Sequence, residues 1–252
     1  MESKFLCSAQ PVLTVMLQCE TPDAAIGRIR NALQSGADAF GLQVESLQEE
    51  YQNESTYRKL FKEMRGKPSY VTNYRNRKNK GKTDEELADG LITLANCGAT
   101  LCDVIGDFFD KQSDEMAVSK IAIQKQQQLI ESLHQAGAEV LMSSHISEFV
   151  PAERVLEIAM EQKRRGADIS KIVTIANDME QQIENMRIIN LLKKELGIPF
   201  LFLCGGECSI HRRIGMKLGN CMQLCVYEHD ALSTYAQPTL AISRKIRDEW
   251  GL

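Results

Sequence analysis

Residues 164–175 read Arg-Arg-Gly-Ala-Asp-Ile-Ser-Lys-Ile-Val-Thr-Ile, and the fold is decided by how this stretch is parsed. A helical segment ends on glycine and a short apolar run follows at once. A glycine just past a helix can take the left-handed conformation that ends it, after which the chain drops into a buried strand. The same junction recurs. Gly36-Ala37-Asp38 precedes AFGLQV, Gly98-Ala99 precedes TLCDVI, Gly137-Ala138 precedes EVLMSS, and Gly197-Ile198-Pro199 precedes FLFLC. Such a repeat is the helix-to-strand half of a βα unit.

Outward from these junctions, apolar runs fall at 12–18, 39–44, 69–74, 100–105, 139–143, 169–175, 200–204 and 222–227. Between them, 84–95, 115–135, 152–165 and 179–196 carry apolar residues at helical spacing. Thr83 with Glu86 reads as a capping box and Thr21-Pro22-Asp23 as another helix start. Pro238 is expected to set the first turn of a closing helix at 239–250. Strands alternating with helices predict a parallel sheet. No glycine-rich nucleotide fingerprint follows any run, Gly205-Gly206 being only a short pair, so an open dinucleotide-binding sheet is disfavoured. Eight units predict the α/β class and a (β/α)8 TIM barrel, with 1–252 as a single domain.

Composition agrees: of the 252 residues, 43% are hydrophobic and 25% charged, an ordinary globular balance. A formal charge of -4 gives no electrostatic reason to expect nucleic acid or an anionic membrane as partner. The one basic run, Arg75 to Lys82, reads most simply as a solvated loop. No apolar stretch reaches 18 residues, and the N-terminal segment is broken by Pro11 without a cleavage pattern, so a cytoplasmic protein is expected. The eight cysteines show no C-x-x-C pair, which favours reduced core thiols over a metal site, with Cys204 and Cys208 the nearest approach to one.

In a barrel, chemistry sits at the C-terminal ends of the strands. That filter selects Gln18, Gln43, Glu45, Asn73, Arg75, Asp107, Ser143, Ser144, His145, Lys171, Glu207 and Arg212. Lys171 interrupts an apolar strand, where an unpaired ammonium is costly. Burial and neighbouring cations would favour the free amine that attacks carbonyls, while a structural ion pair with Glu45 or Asp107 is the plain alternative. His145 ends the neighbouring run and is the histidine placed to move protons. Arg75 and Arg212 could each hold a carboxylate with a planar guanidinium, although solvation explains an exposed arginine equally well. Whether Arg212 or Arg213 faces inward is not legible from the pattern.

Three segments resemble the type I 3-dehydroquinate dehydratases. LMSSHISEFVPA (141–152) is similar to the family's strand-end Ser-x-His, ISKIVTIA (169–176) to its Schiff-base lysine segment, and VTNYRNRKNKG (71–81) to its Thr-x-Arg strand end. The similarity runs in order from Val12 to Leu240. It implies an enzyme of the shikimate pathway, in aromatic amino acid biosynthesis, that converts 3-dehydroquinate to 3-dehydroshikimate. Lys171 would form the imine, His145 would be the general acid/base, and Arg75 and Arg212 would anchor the carboxylate. The implied partner is a small-molecule oxo-acid, the implied assembly a homodimer, and no metal or diffusible cofactor is needed.

The substrate shell departs from the family. Gly41, Gln43 and Glu45 stand where it has Glu-x-Arg-x-Asp, and Asn79 and Gly81 occupy a loop that normally brings a Glu near two glycines. Matching the Ser-Ala-Pro-Gly-Gln lid to residues 235–239 puts Thr239 in the place of a substrate-contacting glutamine. Gln43, Glu45 and Thr239 are therefore the expected substrate-facing residues. Two further readings stay open: an imine-forming aldolase or lyase acting on another oxo-acid, and a non-catalytic homologue that binds a metabolite.

Overall fold

The computed structural model describes residues 5–6 and 10–251, so Cys7 and most of the N-terminal segment lie outside the described residues. The strands are β1 (Val12–Leu17), β2 (Ala39–Gln43), β3 (Ser69–Thr72), β4 (Leu101–Ile105), β5 (Glu139–His145), β6 (Ile169–Ile175), β7 (Phe200–Gly205) and β8 (Met222–Cys225). Each falls within or across one of the expected runs. The helices are α1 (Pro22–Gln34), α2 (Glu54–Glu63), α3 (Asp84–Cys97), α4 (Lys120–Gln135), α5 (Ala152–Arg165), α6 (Met179–Glu195), α7 (His211–Leu218) and α8 (Leu240–Glu249).

All pairings are parallel, in the order β7-β6-β5-β4-β3-β2-β1-β8. At the seam between β7 and β8, Cys221 N donates to Phe200 O at 3.0 Å. Beside it the Asn220 amide accepts from Phe202 N and donates to Phe202 O, both at 2.9 Å, standing in for a strand residue. The eight strands thus make the nearly closed barrel that the alternation predicted.

The helix ends follow the sequence chemistry. Thr83 and Glu86 form a reciprocal capping box on α3. Gly98 and Gly166 sit in the left-handed region at φ 117° and 108° and end α3 and α5. Two helix starts differ from expectation. The helix expected from residue 115 begins at Lys120, because 106–119 form an irregular loop. Thr239 caps α8 from outside through its side chain, so Pro238 precedes the cap instead of forming the first turn. Helix α7, short and basic, was not among the stretches expected to be helical.

Strand alternation sorts the core. Val12, Met16, Ala39, Tyr70, Leu101, Leu141, Ile169, Leu201 and Met222 fill the barrel interior. Their sequence neighbours pack against the helices in two clusters. Among the described residues, no helix is long and apolar enough to cross a membrane.

Candidate active site

Above the apolar floor, the same alternation turns polar residues inward. Ile169, Lys171 and Val173 share the inner face of β6, while Ile172 belongs to the outer core. On β4, Leu101 and Asp103 share a face, with Cys102 and Val104 opposite. The result is a cavity of about 490 Å³ at the C-terminal mouth, lined by Gln43, Glu45, Tyr70, Tyr74, Lys111, Glu115, His145, Lys171, Arg212 and Gln237, among others.

Lys171 is 4% exposed. Its Nζ donates to Tyr74 Oη at 2.8 Å, Tyr70 Oη at 3.0 Å and Asp103 Oδ2 at 3.1 Å. Asp103 also accepts from both phenols and from Ser143 Oγ. Burial alone would raise its carboxyl, but the Lys171 charge with the Ser143 and Tyr70 hydrogen bonds holds it below the usual range. Burial first, and the Asp103 charge next, push both phenols well above their ordinary value, so they remain neutral. The lysine's partner is therefore Asp103, not Glu45 or Asp107, and the expected neighbouring cations are replaced by two phenols and a carboxylate.

Register pairs Ser143 with Lys171 and His145 with Val173, so the histidine stands nearer the mouth than the lysine. Its Nδ1 lies 2.9 Å from Glu115 Oε2, and its backbone N donates to the same oxygen at 2.7 Å. Tyr74 meets the ring edge-on with centroids 5.3 Å apart. Glu115 has φ 50°, a left-handed conformation costing about 1–2 kcal/mol for a residue with a side chain.

The remaining candidates fare unequally. Arg75 reaches the rim, but its guanidinium is committed to Asp84 at 2.6 and 2.8 Å and to Asp107 at 2.6 Å. The family's Thr-x-Arg is here Thr72-Asn73-Tyr74-Arg75, one residue longer, and Tyr74 takes the inward position. Arg212, not the exposed Arg213, faces the cavity. Its Nε donates to Cys204 O at 3.1 Å, and among the described residues it has no ion pair with a carboxylate. Burial lowers its pKa, yet a guanidinium keeps its charge.

Gln43 lines the cavity, with its buried Oε1 unpartnered among the described residues. Glu45 accepts from Thr72 Oγ1 at 2.9 Å, and burial raises its carboxyl above the ordinary value. Thr239 is a correction: its Oγ1 accepts from Ile242 N as the α8 cap, and the side chain is absent from the cavity wall. Gln237 lines the wall instead, four residues after Ser233, which reproduces the Ser-x-x-x-Gln spacing of the lid motif. Gln18 clamps that loop, donating to Thr234 Oγ1 at 2.8 Å and accepting from Thr234 N at 2.9 Å.

Of the others, Asn73 bonds Leu87 O and Asn79, Ser144 points outward to Gln162 and Glu115 O, and Glu207 is exposed away from the cavity. The basic run is more than a solvated loop, since Arg77 reaches across the mouth to Leu232 O at 2.9 Å. His211 is buried against Gln182, where burial lowers it to about 4 and leaves it neutral.

Sequence reasoning passed over Asp103, Tyr70, Tyr74 and Glu115. Asp103 was findable, because it interrupts an apolar strand as Lys171 does. Tyr70 and Tyr74 share a strand face by period 2. Glu115 carries no sequence signal, since its position depends on an irregular loop.

A family model described as type I 3-dehydroquinase matches residues 13–246. Among solved structures, a 3-dehydroquinate dehydratase from Geobacillus kaustophilus HTA426 superposes with TM-score 0.82 at 14% identity, covering 98% of this chain and 93% of that one. A type I enzyme from Clostridium difficile with covalently modified comenic acid gives 0.80 at 14% identity, covering 97% and 94%. The Aquifex aeolicus VF5 dehydratase gives 0.70 at 18% identity, covering 95% and 98%. At these identities the superpositions speak to the fold alone. No curated protein matches the chain significantly in sequence.

Proposed function

Since the chain belongs to the type I 3-dehydroquinase family, a family of carbon–oxygen lyases, we propose that it dehydrates 3-dehydroquinate to 3-dehydroshikimate through an imine on Lys171. The observation that carries this reading is a buried lysine amine in a polar cage, opening on a cavity that also presents His145 and Arg212.

The amine attacks the substrate ketone, and loss of water from the adduct leaves an iminium. That cation withdraws electrons from the neighbouring carbon, so His145 can remove a proton there. The electrons then expel hydroxide, which leaves as water after protonation, and hydrolysis of the imine frees the conjugated product and restores Lys171. Arg212 holds the carboxylate during these steps. In the reduced cytoplasm proposed for this protein, the described cysteines stay thiols, as they are in the structure.

One observation favours a variant of this reading. Gln43 stands where the family has arginine, and the Arg75 guanidinium on the wall is taken up by Asp84 and Asp107, so two of the charges expected to meet substrate are not free there. Such a wall suits an oxo-acid whose far end is uncharged, including relatives of 3-dehydroquinate.

The test is mass spectrometry after borohydride reduction with 3-dehydroquinate and a panel of other oxo-acids. A reduced adduct on Lys171 together with the ultraviolet absorbance of the conjugated product supports the dehydratase. An adduct with another oxo-acid alone shifts the substrate, and no adduct with any defeats the imine reading. The His145→Ala enzyme should lose about 10²–10⁴-fold in kcat while KM moves little, because proton transfer is felt in the transition state. Arg212→Ala should instead raise KM by about 10- to 100-fold, the worth of a charge-assisted hydrogen bond. Steady-state kinetics separates the two.

A further inference from the structure

We infer that Glu115 is a positioning residue that fixes the working tautomer of His145, and that this chain supplies it from the loop between β4 and α4. The inference rests on His145 being the proton carrier. One carboxylate oxygen accepts from the histidine's backbone N and approaches Nδ1, at 2.7 and 2.9 Å, which restrains the ring at both its root and its edge. A carboxylate accepts but does not donate, so Nδ1 carries the hydrogen and Nε2 keeps the lone pair that takes a proton from substrate.

The loop is built to hold this carboxylate. Glu115 keeps its left-handed backbone, a conformation that persists only where the surroundings enforce it. Ser144 Oγ donates to Glu115 O at 3.2 Å. A β-carbon on Gly106 would come within 2.5 Å of that same carbonyl, so only glycine allows the loop to pack there. The buried Arg165 closes the turn from below, donating to Gly106 O at 2.9 Å and Ala117 O at 2.7 Å.

The loop after β3, where the family resemblance would place a glutamate, offers no substitute. Asn79 is tied to Asn73 at 2.7 Å, and Gly81 has no side chain. Other titratable or charged groups around the histidine are Tyr74 from the β3 end, Asp103 from β4, Lys171 from β6, and Glu45, Tyr70, Arg75, Arg77, Lys111 and Arg212 on the cavity wall. Among the described residues, Glu115 alone is hydrogen-bonded to the ring.

The experiment compares wild type with Glu115→Gly, which takes the left-handed backbone freely and so keeps the loop, and with Glu115→Asp. Glu115→Gly should lower kcat by about 100-fold while KM changes little, as removal of a group that orients a site residue does. Nitrogen-15 shifts of the ligand-free protein should show His145 protonated at Nδ1 in wild type and increasingly at Nε2 in the glycine variant. Glu115→Asp should recover part of both. Gly106→Ala, which displaces the Glu115 carbonyl, should reproduce the loss of turnover without touching the carboxylate itself. An unchanged tautomer in Glu115→Gly overturns the inference, as does a matched loss of kcat and binding with a lowered Tm. Because the tautomer is read without substrate, it decides the role of Glu115 even if wild type forms no adduct with any oxo-acid, a result that would count against the proposed function alone.

Discussion

Replacing Lys171 with alanine is expected to leave no measurable turnover and no borohydride-trapped adduct. Among the described residues no other lysine lies on the cavity floor, and Lys111, the other lysine on its wall, is exposed at the rim. An imine converts the carbon next to the ketone into an acid that a histidine can deprotonate, and removing it leaves only positioning and proton transfer. The loss should exceed about 10⁴-fold, beyond what removal of a proton-transfer group typically costs. The alanine variant also strands Asp103 without its counter-charge, so a drop in stability will accompany the drop in activity. Lys171→Arg separates the two effects, because an arginine keeps a positive charge beside Asp103 but forms no imine. A folded, inactive arginine variant with a Tm near wild type is the expected result. Residual turnover above about 1% of wild type in either variant would remove the imine from the mechanism.

Asp103→Ala is expected to have the largest effect on stability. The carboxylate is fully buried and accepts from Lys171, Tyr70, Tyr74 and Ser143. Its removal leaves a buried ammonium and three hydroxyls to find new partners, at a cost of about 3–5 kcal/mol. For a chain of this size that is a fall in Tm on the order of 10 °C, readable by calorimetry. Asp103→Asn keeps the shape and should cost less, but it leaves Lys171 without a charged partner and should slow imine formation. The pH dependence has a definite sign. The folded carboxyl titrates below its unfolded value, so its contribution is fully present above about pH 4 and is lost as pH falls through the lower, folded value. The difference in stability between wild type and Asp103→Ala should therefore shrink in that acid window and stay constant above it. A difference that persists unchanged to pH 2 would show that the charge of Asp103 contributes little.

The barrel was legible because its determinants are local and periodic. Glycine after a helix, an apolar run of strand length and a capping box such as Thr83 with Glu86 each act through neighbours in sequence, and eight repetitions leave little choice of topology. Lys171 and His145 were legible for a related reason: each is a polar residue at or near the C-terminal end of a strand, and strand alternation alone turns both toward the mouth. Their partners depended on distance across the barrel. Asp103 reaches Lys171 from 68 positions away, and Tyr70 and Tyr74 from 101 and 97, so only closure of the sheet could show that a carboxylate and two phenols meet one amine.

Motif matching did not anticipate the surroundings of Arg75 and Thr239, for a physical reason. One extra residue between Thr72 and Arg75 moves the arginine off the inner strand face, so it pairs with Asp84 and Asp107 while Tyr74 turns inward. At the C-terminal loop, Thr239 is consumed as a helix cap, which leaves Gln237 for the cavity. By itself the sequence determined the barrel and the placing of Lys171 and His145 at its mouth, because burial and periodicity are properties of neighbours along the chain. Only the tertiary structure decided what surrounds them, because loop geometry and barrel closure bring Asp103, Tyr70 and Tyr74 to Lys171, and Glu115 to His145, within 3.1 Å.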